Sequence, residues 1–187
     1  MPTQIAERLA VYGLAEPPKG QVRNLRLRRG QTLDLNRRNP PAGMRLELAR
    51  PRTLAEVKRM VGTPDKSLRR PTRQNAFNLQ RVTRQNFRRV MREQRLAYQR
   101  AILTYVHRHT ATLTENDLKM VEALYDLKLV EIVLPVFIWA DIVVPSGSTL
   151  SVEQGAVLFA NNITVEQGGV IAAGNFCVID CNSFTGL

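Results

Sequence analysis

Three copies of one pattern, 21 residues apart, constrain this chain more than any other feature. They read Val136-Phe137-Ile138-Trp139-Ala140-Asp141-Ile142, Val157-Leu158-Phe159-Ala160-Asn161-Asn162-Ile163 and Val178-Ile179-Asp180-Cys181-Asn182-Ser183-Phe184. Further positions keep the register: Val144 with Val165, Gly147 with Gly168, Leu150 with Ile171, Val152 with Ala173. A fixed period of this length is the signature of stacked turns, each burying its apolar side on the next. The columns Phe137/Leu158/Ile179, Trp139/Ala160/Cys181 and Ile142/Ile163/Phe184 are apolar throughout. Equivalent side chains one strand spacing apart would therefore build a continuous core. Runs such as Ile142-Val143-Val144 suit a pleated surface, and Gly147, Gly155, Gly168, Gly169 and Gly174 mark corners. The pattern predicts a short parallel β-helix of about three coils; a β-sandwich with two similar hairpins would share the same punctuation.

The column Val136/Val157/Val178 alternates with the inward Phe137 column, yet it too is apolar. A strand that is apolar on both faces calls for a second covering layer, and upstream helices are the expected cover. The sequence given runs no further than Leu187. The expectation is an open last coil, with Val178, Ile179, Cys181, Phe184 and Leu187 as its assembly edge, available to a second copy or another protein.

Charge divides the chain. The net charge is +11, and 22 of the 27 basic residues are Arg. Residues 1–110 hold 25 Lys/Arg against 7 Asp/Glu, and residues 111–187 hold 2 against 9. A basic half joined to an acidic half points to an anionic partner or to self-association. No apolar leader preceded by basic residues opens the chain, and the longest apolar stretch, residues 129–144, is interrupted by Glu131, Pro135 and Asp141. Cys177 and Cys181 lie too far apart along one strand to bridge each other. The expected compartment is cytoplasmic.

Ahead of the repeat, residues 3–14 read as a short helix with Thr3 as N-cap and Ile5, Leu9 and Leu14 inward. Residues 22–35 read as two short strands around a turn, and Met44, Leu46 and Leu48 alternate again. Thr53-Leu54-Ala55-Glu56 is a capping box opening a helix that Gly62 stops. A polar linker over 63–76 precedes a long helix expected over 78–108, and Thr114 to Asp117 caps another. The predicted organisation is a small basic α+β segment (1–70), a helical segment (71–128) and the β-helix (129–187). In class this is α+β, with a basic, mainly helical N-terminal region.

Arg81, Arg84, Arg88, Arg92 and Arg95 recur at steps of 3, 4, 4 and 3, which would set all five on one helical face. Like charges so placed repel unless an anionic partner meets them: an acidic protein surface, nucleic acid or an acidic membrane. Otherwise they are a solvated face. Phe87, Tyr98 and Tyr105 fall on the apolar side, where they would pack rather than stack on bases. His107-x-His109 and Cys177-x3-Cys181 are poor metal sites by spacing, and no metal or cofactor is expected. Asp141 continues as Asn162 and Ser183, and Asp180 aligns with Phe159 and Ile138, so no carboxylates stack. No phosphate loop, nucleophile elbow or triad is present, and no catalytic residue is expected.

The columns over 136–187 resemble parallel β-helix proteins. With a basic segment ahead of them, they loosely resemble the bactofilin class of polymer-forming cytoskeletal proteins. That resemblance implies end-to-end assembly through the coils and upstream segments that engage membranes or other partners. The expected function is that of a non-enzymatic structural or interaction protein. The alternatives are an anionic-polymer binding module and a carbohydrate-acting β-helix enzyme.

Overall fold

Parallel pairing of the 21-residue copies lays down the longest ladder in the molecule. The computed structural model describes residues 4–18, 20–128 and 131–186. Strand β4 (Leu134–Ile138) and strand β5 (Asp141–Val144) both pair with the long strand β7 (Val157–Val165), and β7 pairs with β9 (Val178–Gly186), all parallel. The partners are 21 residues apart, as in Val136 to Val157 to Val178 and Ile142 to Ile163 to Phe184. The break between β4 and β5 falls at Trp139 and Ala140, and Asn161 marks the same corner one strand on, its N–H donating to the Ala140 carbonyl at 2.7 Å.

The expected parallel β-helix is nevertheless overturned. The ladder belongs to a curled, mixed half-barrel sheet in which β5, β7 and β4 lie side by side, flanked by two N-terminal strands, with β9 added against β7. Strand β3 (Arg45–Ala49) closes one side antiparallel to β4. Strand β1 (Leu25–Arg26) enters parallel to β5. A separate three-stranded sheet contains β2 (Thr32–Leu35), β6 (Thr149–Val152) and β8 (Val170–Ala173), all parallel. The repeat supplied the register, but N-terminal strands joined both sheets and broke the solenoid. The resemblance to the bactofilin class falls with it. The N-terminal region is likewise not mainly helical: residues 1–49 contribute three strands and helix α1 (Gln4–Ala10). Thr3, the expected N-cap, and Leu129 and Val130 lie outside the described residues.

The chain forms two compact units: residues 1–49 with 133–187, and residues 50–132. The core of the first lies between its sheets. Phe137, Leu150, Leu158, Ala160 and Ile163 are fully buried there with Leu27 and Leu35 from the N-terminal strands. Val136 and Val157, on the opposite face, are also fully buried. The corners need positive φ. Gly155 has φ +71°, and Phe176, one repeat later, is held at +61°, a conformation that a bulky residue rarely adopts.

The second unit is helical. Thr53 caps helix α2 (Leu54–Val61), accepting from the Glu56 N–H at 3.1 Å as expected of an N-cap, while the Glu56 carboxylate accepts from the N–H of Arg52, one residue before the cap. Helix α3 (Phe87–His107) carries a non-helical residue at Gln94. Helix α4 (Glu115–Asp126) starts at Thr114, whose hydroxyl accepts from the Asp117 N–H at 3.1 Å. The helix expected from residue 78 begins nine residues later. The buried Asp117 carboxylate accepts from the Phe77 N–H at 2.8 Å and the Leu79 N–H at 2.9 Å, which holds this segment extended. Those hydrogen bonds, with one from Thr114, keep its pKa below the ordinary range even though burial alone would raise it. No helix among the described residues is long and apolar enough to cross a membrane.

Candidate functional site

Strand β9 is hydrogen-bonded to β7 along one edge, and among the described residues no strand pairs with its other edge. Strand β8 likewise has β6 on one side alone. In parallel strands alternate residues bond to the same neighbour. The Val178 N–H donates to the Ala156 carbonyl at 2.9 Å, so Ile179 and Cys181 turn their backbone groups outward. Four of the five residues expected at an assembly edge, Val178, Ile179, Cys181 and Phe184, lie on β9; Leu187 lies outside the described residues. Phe184 is 54% exposed, Ile179 37%, and Val170 on β8 49%. In the previous turn their partners Ile163 and Leu158 are fully buried. Phe184 and Ile179 thus end columns that are core in the preceding copies, whereas Val170 pairs with Thr149.

Polar side chains extend the same ladder. Asn162 donates to Asp141 at 2.7 Å, and Ser183 donates to Asn162 at 2.7 Å. Asn182 donates to Asn161 at 2.6 Å. Behind this strand sits a clamp from α1. The Arg8 guanidinium donates to Asp180 through Nε at 2.8 Å and Nη2 at 2.6 Å, to Asn182 at 2.8 Å and to the Ala160 carbonyl at 3.1 Å. It also lies 4.4 Å from the centroid of the Phe159 ring. The Tyr12 hydroxyl completes the clamp, donating to Asp180 at 2.8 Å. Burial first, and then the Asp180 charge, push the Tyr12 pKa far up, so it stays a donor. With Asp180 occupied in this way, the segment 167–186 presents no free formal charge.

The five arginines do not share a helical face. Arg81 and Arg84 precede α3, in extended and turn backbone, while Arg88, Arg92 and Arg95 lie on it. Gln94 breaks the helical geometry between the last two. Its side chain accepts from the Gln80 N–H at 2.8 Å, and the Tyr98 hydroxyl donates to the Gln80 carbonyl at 2.6 Å. All five arginines are exposed, and none makes an ion pair among the described residues. Tyr98 and Tyr105 are buried, as expected from their helical positions.

Other polar groups serve the fold. His109 Nδ1 accepts from the Ala111 N–H at 3.1 Å, and no group of three metal-ligating side chains occurs among the described residues. Burial raises the Cys177 thiol to about 11 and also lifts Cys181, so both are protonated at neutral pH. An apolar recess of about 210 Å³ opens beside Ile138, Phe159, Pro17 and Pro18. Sequence reading missed the Arg8–Asp180 clamp, because the two residues stand 172 positions apart and neither belongs to a local motif. Comparison with family models, curated proteins and solved structures returned no match to this chain.

Proposed function

We propose that this protein is a non-enzymatic structural or interaction module that associates with a second copy of itself through the β9 edge. The observation that carries this reading is a nine-residue edge strand with Ile179 and Phe184 exposed on it and no free charge. Exposed edges are ordinarily blunted by Lys, Pro or a cover, and 170–186 contains neither residue. The chain as a whole carries +11, and the excess lies in residues 50–132, so contacts between copies through that unit are repulsive. At this edge two copies meet without like charges. A two-fold arrangement satisfies both edges at once, since the same patch serves on each side.

Sedimentation velocity over a concentration series tests the reading. The chain should move from monomer to dimer with rising concentration. Phe184→Lys or Ile179→Lys should each weaken association at least about tenfold, by removing an apolar contact and adding repulsion. A chain that remains monomeric to about 100 µM, a free energy weaker than about −5.5 kcal/mol, refutes self-association. A dimer untouched by both substitutions refutes the edge.

A further inference from the structure

The solvent face of α3 is built in a way that the β9 edge does not explain. Leu96 is 65% exposed, the highest value for a large apolar side chain among the described residues, and Leu103 is 37% exposed. They stand seven residues apart, two helical turns and about 10 Å along one line. The opposite face is packed: Val90, Tyr98 and Ala101 are essentially fully buried. The two leucines therefore project outward by construction.

Arginine surrounds them. Arg100 stands one turn after Leu96 and Arg95 flanks the line on one side, while Arg88 and Arg92 are exposed on the part of α3 that precedes the break at Gln94. Arg89 reaches Glu93 only at 3.8 Å. The excess extends through the unit: residues 50–132 hold 18 Lys/Arg against 8 Asp/Glu, whereas the rest of the chain holds 9 against 8.

We infer that this face of α3 docks on an anionic lipid surface. Guanidinium groups pair with lipid phosphates and draw the unit to the membrane, while Leu96 and Leu103 enter the acyl boundary beneath the headgroups. Arg accommodates both by laying its aliphatic stem along the apolar layer with its charge at the phosphates. Nucleic acid accounts for the arginines but not for the leucines at the centre of the face. A single-strand binder would also expose aromatic platforms, and Tyr98 and Tyr105 are buried. The inference is independent of the β9 edge, since it uses residues of the other unit.

Vesicle co-sedimentation of the full chain decides it, using phosphatidylcholine alone and phosphatidylcholine with phosphatidylserine. Binding is expected to the acidic vesicles alone and should weaken as salt shortens the screening length. Replacing Arg88, Arg92 and Arg95 by Gln should reduce affinity on the order of 100-fold. Leu96→Ala with Leu103→Ala keeps every charge and the helix propensity, and should reduce affinity roughly tenfold. A far-UV spectrum unchanged from wild type confirms that this pair folds. Absence of binding to acidic vesicles at low salt overturns the inference. So does affinity unmoved by the leucine pair with DNA competing for the same face, which would show an electrostatic polyanion site instead.

Discussion

Lys58 terminates a helix to which it does not belong. It lies on α2, and its ammonium donates to the carbonyls of Tyr105 at 2.9 Å and Arg108 at 2.6 Å, at the C-terminal end of α3. Those carbonyls have no intrahelical donor, and a cation there also meets the negative end of the helix dipole. The third donor goes to Asp65 at 2.6 Å, and Asp65 also accepts from the N–H and hydroxyl of Thr110. Burial alone would raise the Asp65 pKa; the hydrogen bonds from Lys58 and Thr110, with the Lys58 charge, outweigh it and hold the carboxyl at about 2. A carboxylate whose pKa is lower folded than unfolded stabilises the protein fully above the unfolded value, 3.8, and loses that contribution as pH falls toward about 2. Asp65→Asn should therefore cost stability at neutral pH, and the gap from wild type should close between about pH 4 and pH 2. The side chain is 35% exposed, which limits the cost to about 1 kcal/mol. Urea melts across that range measure it, and a pH-independent gap would show that the charge is not what Asp65 contributes.

At the scale of elements, the approach of the end of α2 to the end of α3 is set by a glycine. A Cβ on Gly62 would sit 2.2 Å from the Val106 carbonyl oxygen and 2.6 Å from that of Lys58. Its φ of −100° is open to any residue, so the constraint is space: the ends of α2 and α3 meet where Thr63 N–H donates to Val106 at 3.1 Å. Gly62→Ala should cost about 2–3 kcal/mol, by forcing backbone apart. Gly13→Ala, with nothing within 4 Å and φ +71°, should cost about 1 kcal/mol, from conformation alone. Chemical denaturation of both variants distinguishes the two mechanisms, and equal costs would contradict the packing account. Elements of this kind show what was legible in the sequence. The 21-residue register was, because apolar columns and ladder partners repeat together. The N-caps at Thr53 and Thr114 were, because a cap is local. Strands β1 and β2 read as two short strands around a local turn, and strands they are, yet they pair with β5 and β6, about 117 residues away, and nothing in so short a strand marks a distant partner. The five arginines keep helical spacing whether or not the backbone is helical. Bonds that Phe77 and Leu79 donate to Asp117, 40 positions from Phe77, decide that the backbone is not helical before Phe87.

On the scale of the whole molecule, the topology is that of one unit inserted into another. Ala49 pairs with Leu134 at the end of the antiparallel β3–β4 ladder, so all of 50–132 occupies the place of a hairpin turn. Directly opposed residues in such a ladder lie about 5 Å apart. The inserted unit matches that spacing from its own side: Arg50 and Glu131, at its two ends, form an ion pair at 2.6 Å. The pair is exposed and contributes little energy, but it places the ends together, the condition under which an inserted domain folds without stretching its host. Excised, residues 50–132 should unfold cooperatively with a helical far-UV spectrum, and should retain acidic-vesicle binding if α3 carries it. The remainder, with a short Gly-containing turn from Ala49 to residue 133, should also fold. Exchanging a closure of about 80 residues for one of about four lowers the entropy cost of joining β3 to β4 by about 2–3 kcal/mol. Trp139, the chain's single tryptophan, is 3% exposed in that unit, so its emission reports whether the core of the excised host is intact. Blue-shifted emission with concentration-dependent association would place both core and β9 edge in the host alone. A red-shifted, non-cooperative host would show that the inserted unit is needed for the sheets to close.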